Sequence, residues 1–152
     1  MKKFVKVVLI IIAVIGVIQL IPVDRTNPPV KSSENFIHLQ KTPIKISEIM
    51  RNACYDCHSN ETKYPPYAYI APFSWSVKNH INEGREKVNF SIWGSYSDDL
   101  KMAMLKNSIA SVASREMPIP GYIVYHTEAN LNDAERKLLT DYFQKILDDK
   151  SY

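Results

Sequence analysis

The stretch Cys54-Tyr55-Asp56-Cys57-His58 contains both cysteines of the 152-residue chain, three positions apart and followed at once by a histidine. Residues three apart on a helix lie on the same face, so both thiols would point the same way. The apolar spacing of residues 44–54 predicts a helix that ends at the first cysteine, and Pro43 suits its first turn. We therefore expect the stretch to lie at the end of a rigid helical arm.

The Cys-x-x-Cys-His pattern is typical of covalent haem c attachment. Two thiols one turn apart can each add to one vinyl group on the same edge of a haem. The adjacent His58 is then held where its imidazole can bind the iron. The pattern predicts one haem c per chain, attached through Cys54 and Cys57, with His58 as an axial ligand.

Three other uses of the cysteines were weighed against haem attachment. A thioredoxin-like redox pair expects a βαβ context, which the sequence lacks. A disulfide between Cys54 and Cys57 would close a very short loop and stabilise the chain little. A zinc site needs further ligands, and His80 and His126 do not have the spacing of a zinc finger. Haem attachment is the favoured interpretation.

A haem iron bound by His58 has one further axial position. Met117 is the favoured ligand, because it precedes Pro118 on a loop between the last two predicted helices, and a methionine–histidine pair raises the reduction potential. Ordinary packing would also explain a methionine there. The alternatives are an open iron or one of four other side chains: His80, His126, Met102 and Met104.

The remaining pattern predicts an all-α fold with long connecting loops. Residues 59–73 contain three prolines and read as a packed loop, and a short helix follows from Ser74 to about Gly84. Ser97 is a candidate N-cap for a helix that ends near Ser114. Asn132 and Glu135 have the spacing of a capping box before the strongest amphipathic stretch. No segment shows the two-residue alternation of a strand.

The amino-terminal segment, residues 1–23, is apolar after three lysines and predicts a transmembrane anchor. The lysines would keep the amino terminus in the cytoplasm, with the domain on the periplasmic side of a bacterial cytoplasmic membrane. A cleaved signal peptide is the alternative, but no small-residue cleavage site follows. Residues 24–42 are polar and predict a linker, which leaves residues 43–152 as the haem-binding domain. Residues 24–152 have equal numbers of acidic and basic residues, so we expect no nucleic-acid partner.

Several stretches together resemble the small bacterial haem-binding domain proteins, a family of membrane-tethered relatives of c-type cytochromes. Besides the cysteine motif, they are Ile21-Pro22-Val23-Asp24-Arg25-Thr26-Asn27-Pro28-Pro29, Ile70-Ala71-Pro72-Phe73-Ser74-Trp75, Glu83-Gly84-Arg85, Asn89-Phe90-Ser91-Ile92-Trp93, Glu116-Met117-Pro118 and His126-Thr127-Glu128-Ala129. The resemblance implies a cytochrome c-like helical domain that binds haem. It does not imply a particular biological role.

These observations favour a membrane-tethered monohaem c-type cytochrome that passes single electrons between redox proteins, a carrier rather than an enzyme. The alternative is a gas or peroxide sensor, or a peroxidase-like enzyme, with an open axial site. Arg85 is a candidate partner for a haem carboxylate. Six aromatic residues are candidates to line the haem pocket or to form the core: Tyr64, Tyr67, Tyr69, Phe73, Trp75 and Trp93.

Overall fold

The computed structural model describes residues 2–152, which fold into helices joined by long loops, with no strand among them. The α-helices are α1 Lys2–Ile18, α2 Phe36–Leu39, α3 Ile44–Ala53, α4 Tyr55–His58, α5 Phe73–Lys87, α6 Asp98–Ala113, α7 Pro120–Ile123 and α8 Asp133–Asp148. Short 3₁₀ segments cover Pro66–Tyr69, Phe90–Ser95 and Thr127–Ala129. The predicted all-α class with long loops is confirmed.

The predicted transmembrane anchor is wrong. Across residues 2–152 no helix is both long enough and apolar enough to cross a bilayer. Helix α1 has 17 residues and includes Lys2, Lys3 and Lys6, so it extends only about 25 Å against the roughly 30 Å of a hydrocarbon core. The single-pass membrane location, which depended on this anchor, is not supported.

The end of α1 contacts the rest of the fold through Gln19. The Gln19 amide donates to the carbonyl oxygen of Ala71 at 3.0 Å, and the Ala71 N–H donates to the Gln19 amide oxygen at 2.9 Å. This pair of bonds makes Gln19, which interrupts the apolar run, a docking point between α1 and the loop before α5.

The segment expected to be a linker, residues 24–42, is packed against the domain. Asn27 donates to the Thr62 carbonyl oxygen at 2.8 Å, and the Arg25 guanidinium lies 4.3 Å above the Tyr69 ring. Phe36 is completely buried. The folded part of the chain therefore begins before Pro43.

The core is an aromatic cluster centred on Phe36. Its ring makes edge contacts with Phe90, Trp93 and Phe143, with centroid separations between 5.0 and 5.9 Å. Edge-to-face packing of this kind adds to the free energy gained by burying the rings. The cluster joins α2, the 3₁₀ segment Phe90–Ser95 and α8, and it forms the floor beneath the cysteine motif.

Two of the predicted helix starts are confirmed. The Ser97 hydroxyl accepts from the Leu100 N–H at the start of α6, and Asn132 with Glu135 forms a complete capping box at the start of α8. The predicted end near Gly84 is wrong, because α5 continues to Lys87. Gly84 is buried inside the helix, where it permits a close contact with the cysteine motif.

Candidate functional site

The cysteine motif lies at a bend between α3 and α4. The Cys54 N–H donates to the Met50 carbonyl oxygen, which closes α3, and the His58 N–H donates to the Cys54 carbonyl oxygen, which forms the single turn of α4. Cys54 itself lies outside both helices, with φ −125° and ψ −42°. The arm predicted to end at Cys54 therefore ends there, with Cys54 at the junction and Cys57 on the turn that follows.

The ring of His58 is fixed by the carboxyl end of α5. Its Nδ1 lies 2.8 Å from the Gly84 carbonyl oxygen and 3.2 Å from the Val88 carbonyl oxygen. Both partners are acceptors, so Nδ1 carries the proton and Nε2 keeps a free lone pair. Burial lowers the pKa of His58, which favours the neutral, metal-binding form of the imidazole.

Gly84 permits this arrangement because it has no side chain. A Cβ atom at this position would lie 2.6 Å from the carbonyl oxygen of Cys57 and 3.0 Å from its carbonyl carbon. The backbones of α5 and α4 therefore touch, and only glycine allows the Gly84 carbonyl oxygen to reach the imidazole. The sequence pattern indicated a helix end at this glycine, whereas its role is a close helix contact.

The loop after His58 is held by hydrogen bonds to main-chain atoms. The Ser59 hydroxyl donates to the Tyr55 carbonyl oxygen, and the Thr62 hydroxyl donates to the Asp56 carbonyl oxygen, both at 2.7 Å. Arg85 donates through Nε to the Ser59 carbonyl oxygen and through Nη2 to Asn27 and Thr62. The Arg85 guanidinium thus fastens this loop and the segment at Asn27, and it lines none of the cavities beside the motif.

Two adjoining cavities open beside the motif, with volumes of about 390 and 320 Å³. Cys54 lines the larger cavity and Cys57 the smaller one. Five residues line both: Ala53, His58, Lys87, Met117 and Pro118. The structure thus places all four predicted site residues, Cys54, Cys57, His58 and Met117, around one continuous space.

The segment between α6 and the 3₁₀ segment Thr127–Ala129, residues 114–126 with α7 inside it, is called here the Met117 loop, and it crosses the far side of this space. The Met117 N–H donates to the Ser111 carbonyl oxygen at 3.0 Å, and its carbonyl oxygen accepts from Arg136 at 2.7 Å. The side chain is 37% exposed, so the thioether lies at the mouth of the cavities. Pro118 beside it is buried and lines both cavities.

Arg136 is the buried residue that ties this loop to α8. Its guanidinium donates to the carbonyl oxygens of Leu131, Val112 and Met117 at 3.2, 2.9 and 2.7 Å. Burial of a charged group is costly unless its donors find acceptors, and these three carbonyls supply them. Arg136 therefore joins the end of α6, the Met117 loop and the loop before α8.

The other candidate iron ligands have different surroundings. His80 lines the smaller cavity but is half exposed and lies 3.8 Å from a Glu83 carboxylate oxygen. His126 lines neither cavity and pairs with Tyr67 and Glu128. Met104 is buried and lines the larger cavity, whereas Met102 lines neither.

The aromatic residues at the two cavities differ from those singled out in the sequence. None of the six candidates lines either cavity, and Trp93 belongs to the core. Phe90, Phe143 and Tyr122 provide the aromatic walls instead. Sequence spacing offered no signal for this, because these rings come from three separate segments.

Both cysteines are free thiols and partly buried. Burial, with the neighbouring Cys57 second, raises the pKa of Cys54 to about 12. Burial, with the Asp56 carboxylate second, raises the pKa of Cys57 to about 11. These raised pKa values favour the protonated thiols on the cavity wall at neutral pH.

The comparison with protein families identifies the family of this domain. A family model described as a haem-binding domain matches residues 13–145. The chain belongs to the haem-binding domain family. Curated proteins and solved structures gave no match to this haem-binding domain.

The residues of this haem-binding domain fit a haem. Together, the two cavities are of the size that holds a cofactor, and Phe90, Leu131 and Phe143 offer apolar contacts to a porphyrin. Lys87 and Ser111 are polar groups that line the same cavity and suit its carboxylates. The free Nε2 of His58 suits its iron.

Two residues that shape the site were missed in the sequence, Gly84 and Arg136. Gly84 lies 26 residues from His58 along the chain, and Arg136 lies 19 residues from Met117. A lone glycine in a helical stretch was one available signal, since it usually has a packing reason there. The sequence offered no such signal for Arg136, because its apolar neighbours along α8 resemble those of any amphipathic helix.

Proposed function

We propose that this haem-binding domain carries one covalently attached haem c, with His58 and Met117 as axial iron ligands, and transfers single electrons between redox proteins. The observation that carries the proposal is the His58 ring. Its Nδ1 is engaged by Gly84 and Val88, and its Nε2 is free beside the two cavities.

Covalent attachment is supported by the two thiols. Cys54 and Cys57 are both reduced and line the two halves of the same space. Each thiol would add across one vinyl group: the S–H bond breaks, a C–S bond forms and the hydrogen goes to the neighbouring vinyl carbon. No electron is gained or lost, so the step needs no oxidant.

Axial binding by Met117 is supported by its position. It lines both cavities together with His58, and its main chain is held on each side by a hydrogen bond. A fixed main chain lowers the entropy lost when a thioether binds iron. Bound haem supplies the one-electron iron couple, and a methionine–histidine pair raises its potential.

Electron transfer is supported by the surface of the Met117 loop. Val124 and Tyr125 follow Met117 by seven and eight positions in the sequence. They expose 69% and 70% of their area. A small apolar patch of this kind suits brief docking of a redox protein.

Haem staining on a denaturing gel tests the covalent bond. The wild-type chain should stain at its own mass, and Cys54→Ser/Cys57→Ser should not. Ser59→Cys, combined with that double change, is a useful control because it restores a thiol without the motif. Staining of the double serine variant at the mass of the chain would contradict covalent attachment by these two thiols.

An absorption spectrum of Met117→Ala tests the sixth ligand. Loss of the sulfur-to-iron charge-transfer band, together with new binding of carbon monoxide, is expected. Met102→Ala is the matched control, since Met102 lines neither cavity. Carbon monoxide binding by the wild type as rapid as by Met117→Ala would instead indicate an open site and favour a sensor.

Protein-film voltammetry tests the electron-carrier role. A reversible one-electron wave that shifts to lower potential in Met117→Ala is expected, because loss of the thioether favours the ferric state. An irreversible wave, or the absence of any wave from haem-loaded protein, would contradict the role in electron transfer while leaving haem binding intact.

A further inference from the structure

A third cavity, of about 250 Å³, lies beside the two that adjoin His58. Cys57, His80, Ile119 and Tyr122 line both this cavity and the smaller of the other two, whereas Cys54, His58 and Met117 do not line it. It therefore lies on the Cys57 side of the iron-binding position. Its volume is below that of a cavity for a drug-sized ligand, and it suits a single aromatic ring.

The walls of this cavity are aromatic. Four aromatic side chains line it. Tyr67 comes from the loop before α5 and Phe73 from the start of α5, while Tyr122 lies in α7 and Tyr125 follows α7. Phe73 and Tyr125 are 60% and 70% exposed, so the cavity is open to an incoming molecule. Aromatic walls favour a flat ring through stacked and edge contacts.

The hydrogen of the Tyr67 hydroxyl is already in use. His126 Nδ1 lies 3.3 Å from a Glu128 carboxylate oxygen, and its Nε2 lies 3.0 Å from the Tyr67 hydroxyl. Because the carboxylate only accepts, Nδ1 carries the proton and Nε2 accepts from Tyr67. The Tyr67 oxygen is left with unused lone pairs.

The hydrogen of the Tyr122 hydroxyl is also already in use. Its hydroxyl donates to a carboxylate oxygen of Asp56 at 2.7 Å, and the other Asp56 oxygen accepts from the Lys63 N–H at 2.9 Å. The cavity is thus lined by two tyrosines whose oxygens can accept further hydrogen bonds but have no hydrogen left to donate.

We propose that this cavity binds a small hydroxylated aromatic molecule, a phenol or hydroquinone. The ring would contact the aromatic walls, and its hydroxyl groups would donate to the oxygens of Tyr67 and Tyr122. An aromatic ring without hydroxyls would leave those oxygens without a donor. An aromatic cation would meet the Lys63 ammonium, which also lines the cavity, while the Asp56 carboxylate there already accepts from Tyr122 and from the Lys63 N–H. The proposal concerns binding only and requires no electron transfer.

Calorimetric titration of the protein as isolated, kept reduced under anaerobic conditions, tests the proposal with hydroquinone as the probe. Saturable binding at one site is expected. Binding of 1,4-dimethoxybenzene, which has the ring but no donor, should be at least tenfold weaker. If the protein lacks haem, the proposed function fails, while this titration still tests the cavity.

Four variants, one of them a control, locate the site. Tyr67→Phe and Tyr122→Phe keep the ring and remove the oxygen, so each should weaken hydroquinone binding about three- to tenfold. Tyr69→Phe is the matched control and should leave binding unchanged, because Tyr69 lies outside the cavity. Val77→Phe fills the cavity from α5 and should abolish binding, with unchanged circular dichroism showing that the fold is intact.

Four results would overturn the proposal. They are no binding of hydroquinone, equal binding of 1,4-dimethoxybenzene, tighter binding of benzyltrimethylammonium, and binding that survives Val77→Phe in folded protein. The first would mean that the haem or a side chain fills the cavity, and the third that the site selects cations.

Discussion

The two walls of the haem cavity are held by different means. The His58 wall consists of residues 54–63 and the end of α5, and it is joined by direct backbone contact between Gly84 and Cys57 and by several hydrogen bonds. The Met117 wall consists of residues 114–124, and its methionine is held by two main-chain hydrogen bonds, one to the Ser111 carbonyl oxygen and one from the Arg136 guanidinium. Under the proposed ligation by Met117, the first wall would position the cofactor and the second would supply the sixth ligand, so that the second wall could be altered separately.

The largest effect is expected from Gly84→Ala. The added Cβ would lie 2.6 Å from a backbone atom that cannot rotate away, so α5 must move and withdraw its carbonyl oxygen from His58. We expect a loss of about 4 kcal/mol in the free energy of unfolding, measured by urea denaturation, together with a low yield of haem-loaded protein.

Gly121→Ala is the matched control for that change. Nothing lies within 4 Å of a Cβ at Gly121, so the free energy of unfolding should change by less than about 0.5 kcal/mol. Equal stability of the two variants would show that the contact between α4 and α5 relaxes without cost.

The next largest effect is expected from Arg136→Met. Three carbonyl oxygens lose their donor, which should lower the free energy of unfolding by about 3 kcal/mol. Haem should remain attached, while the sulfur-to-iron band weakens as in Met117→Ala. Absorption spectra and urea denaturation measure the two effects.

Arg115→Met is the control for the arginine change. Arg115 forms an exposed ion pair with Asp133, and such pairs contribute little to stability. If Arg136→Met kept the full sulfur-to-iron band while Met117→Ala lost it, the Met117 ligand would be correct and the positioning by Arg136 would be wrong.

A smaller effect distinguishes the two cysteines in chain prepared without haem. Their pKa values are raised from 9.0 to about 12 for Cys54 and about 11 for Cys57, so both thiols should react slowly with iodoacetamide at pH 8 and faster as the pH rises. Because the thiolate is the reactive form and burial raises the pKa of Cys54 more than that of Cys57, Cys57 should react faster than Cys54. Mass spectrometry of the labelled peptides measures the ratio. Labelling of both at the rate of a free cysteine would mean that α4 does not pack without haem.

The smallest effect is expected from Asn132→Ala. It removes the capping box that begins α8, so the free energy of unfolding should fall by about 1 kcal/mol. Hydrogen exchange should accelerate in the first turn of α8 and at Met117, while the His58 wall is unchanged. Ser97→Ala, which removes the N-cap of α6, is the matched control. Faster exchange at His58 in Asn132→Ala would show that the two walls are not independent.

The prediction from sequence succeeded where structure is set by neighbours along the chain. The N-cap at Ser97 and the capping box at Asn132 are local hydrogen bonds across three residues, and both are present. The prediction of a membrane span failed because an apolar run with lysines at its start does not by itself give the helix length that a bilayer requires. The polar composition of residues 24–42 likewise did not indicate that Phe36 would lie at the centre of the core.

The sequence alone determined that the two thiols and the histidine lie close together, because all three residues fall within five positions of the chain. It also marked Met117 as a candidate. Only the tertiary structure decided that Gly84 orients His58 and that Arg136 holds the Met117 loop. Both are contacts between segments far apart in the chain, and they depend on how the helices pack together, which local patterns of apolar residues do not specify.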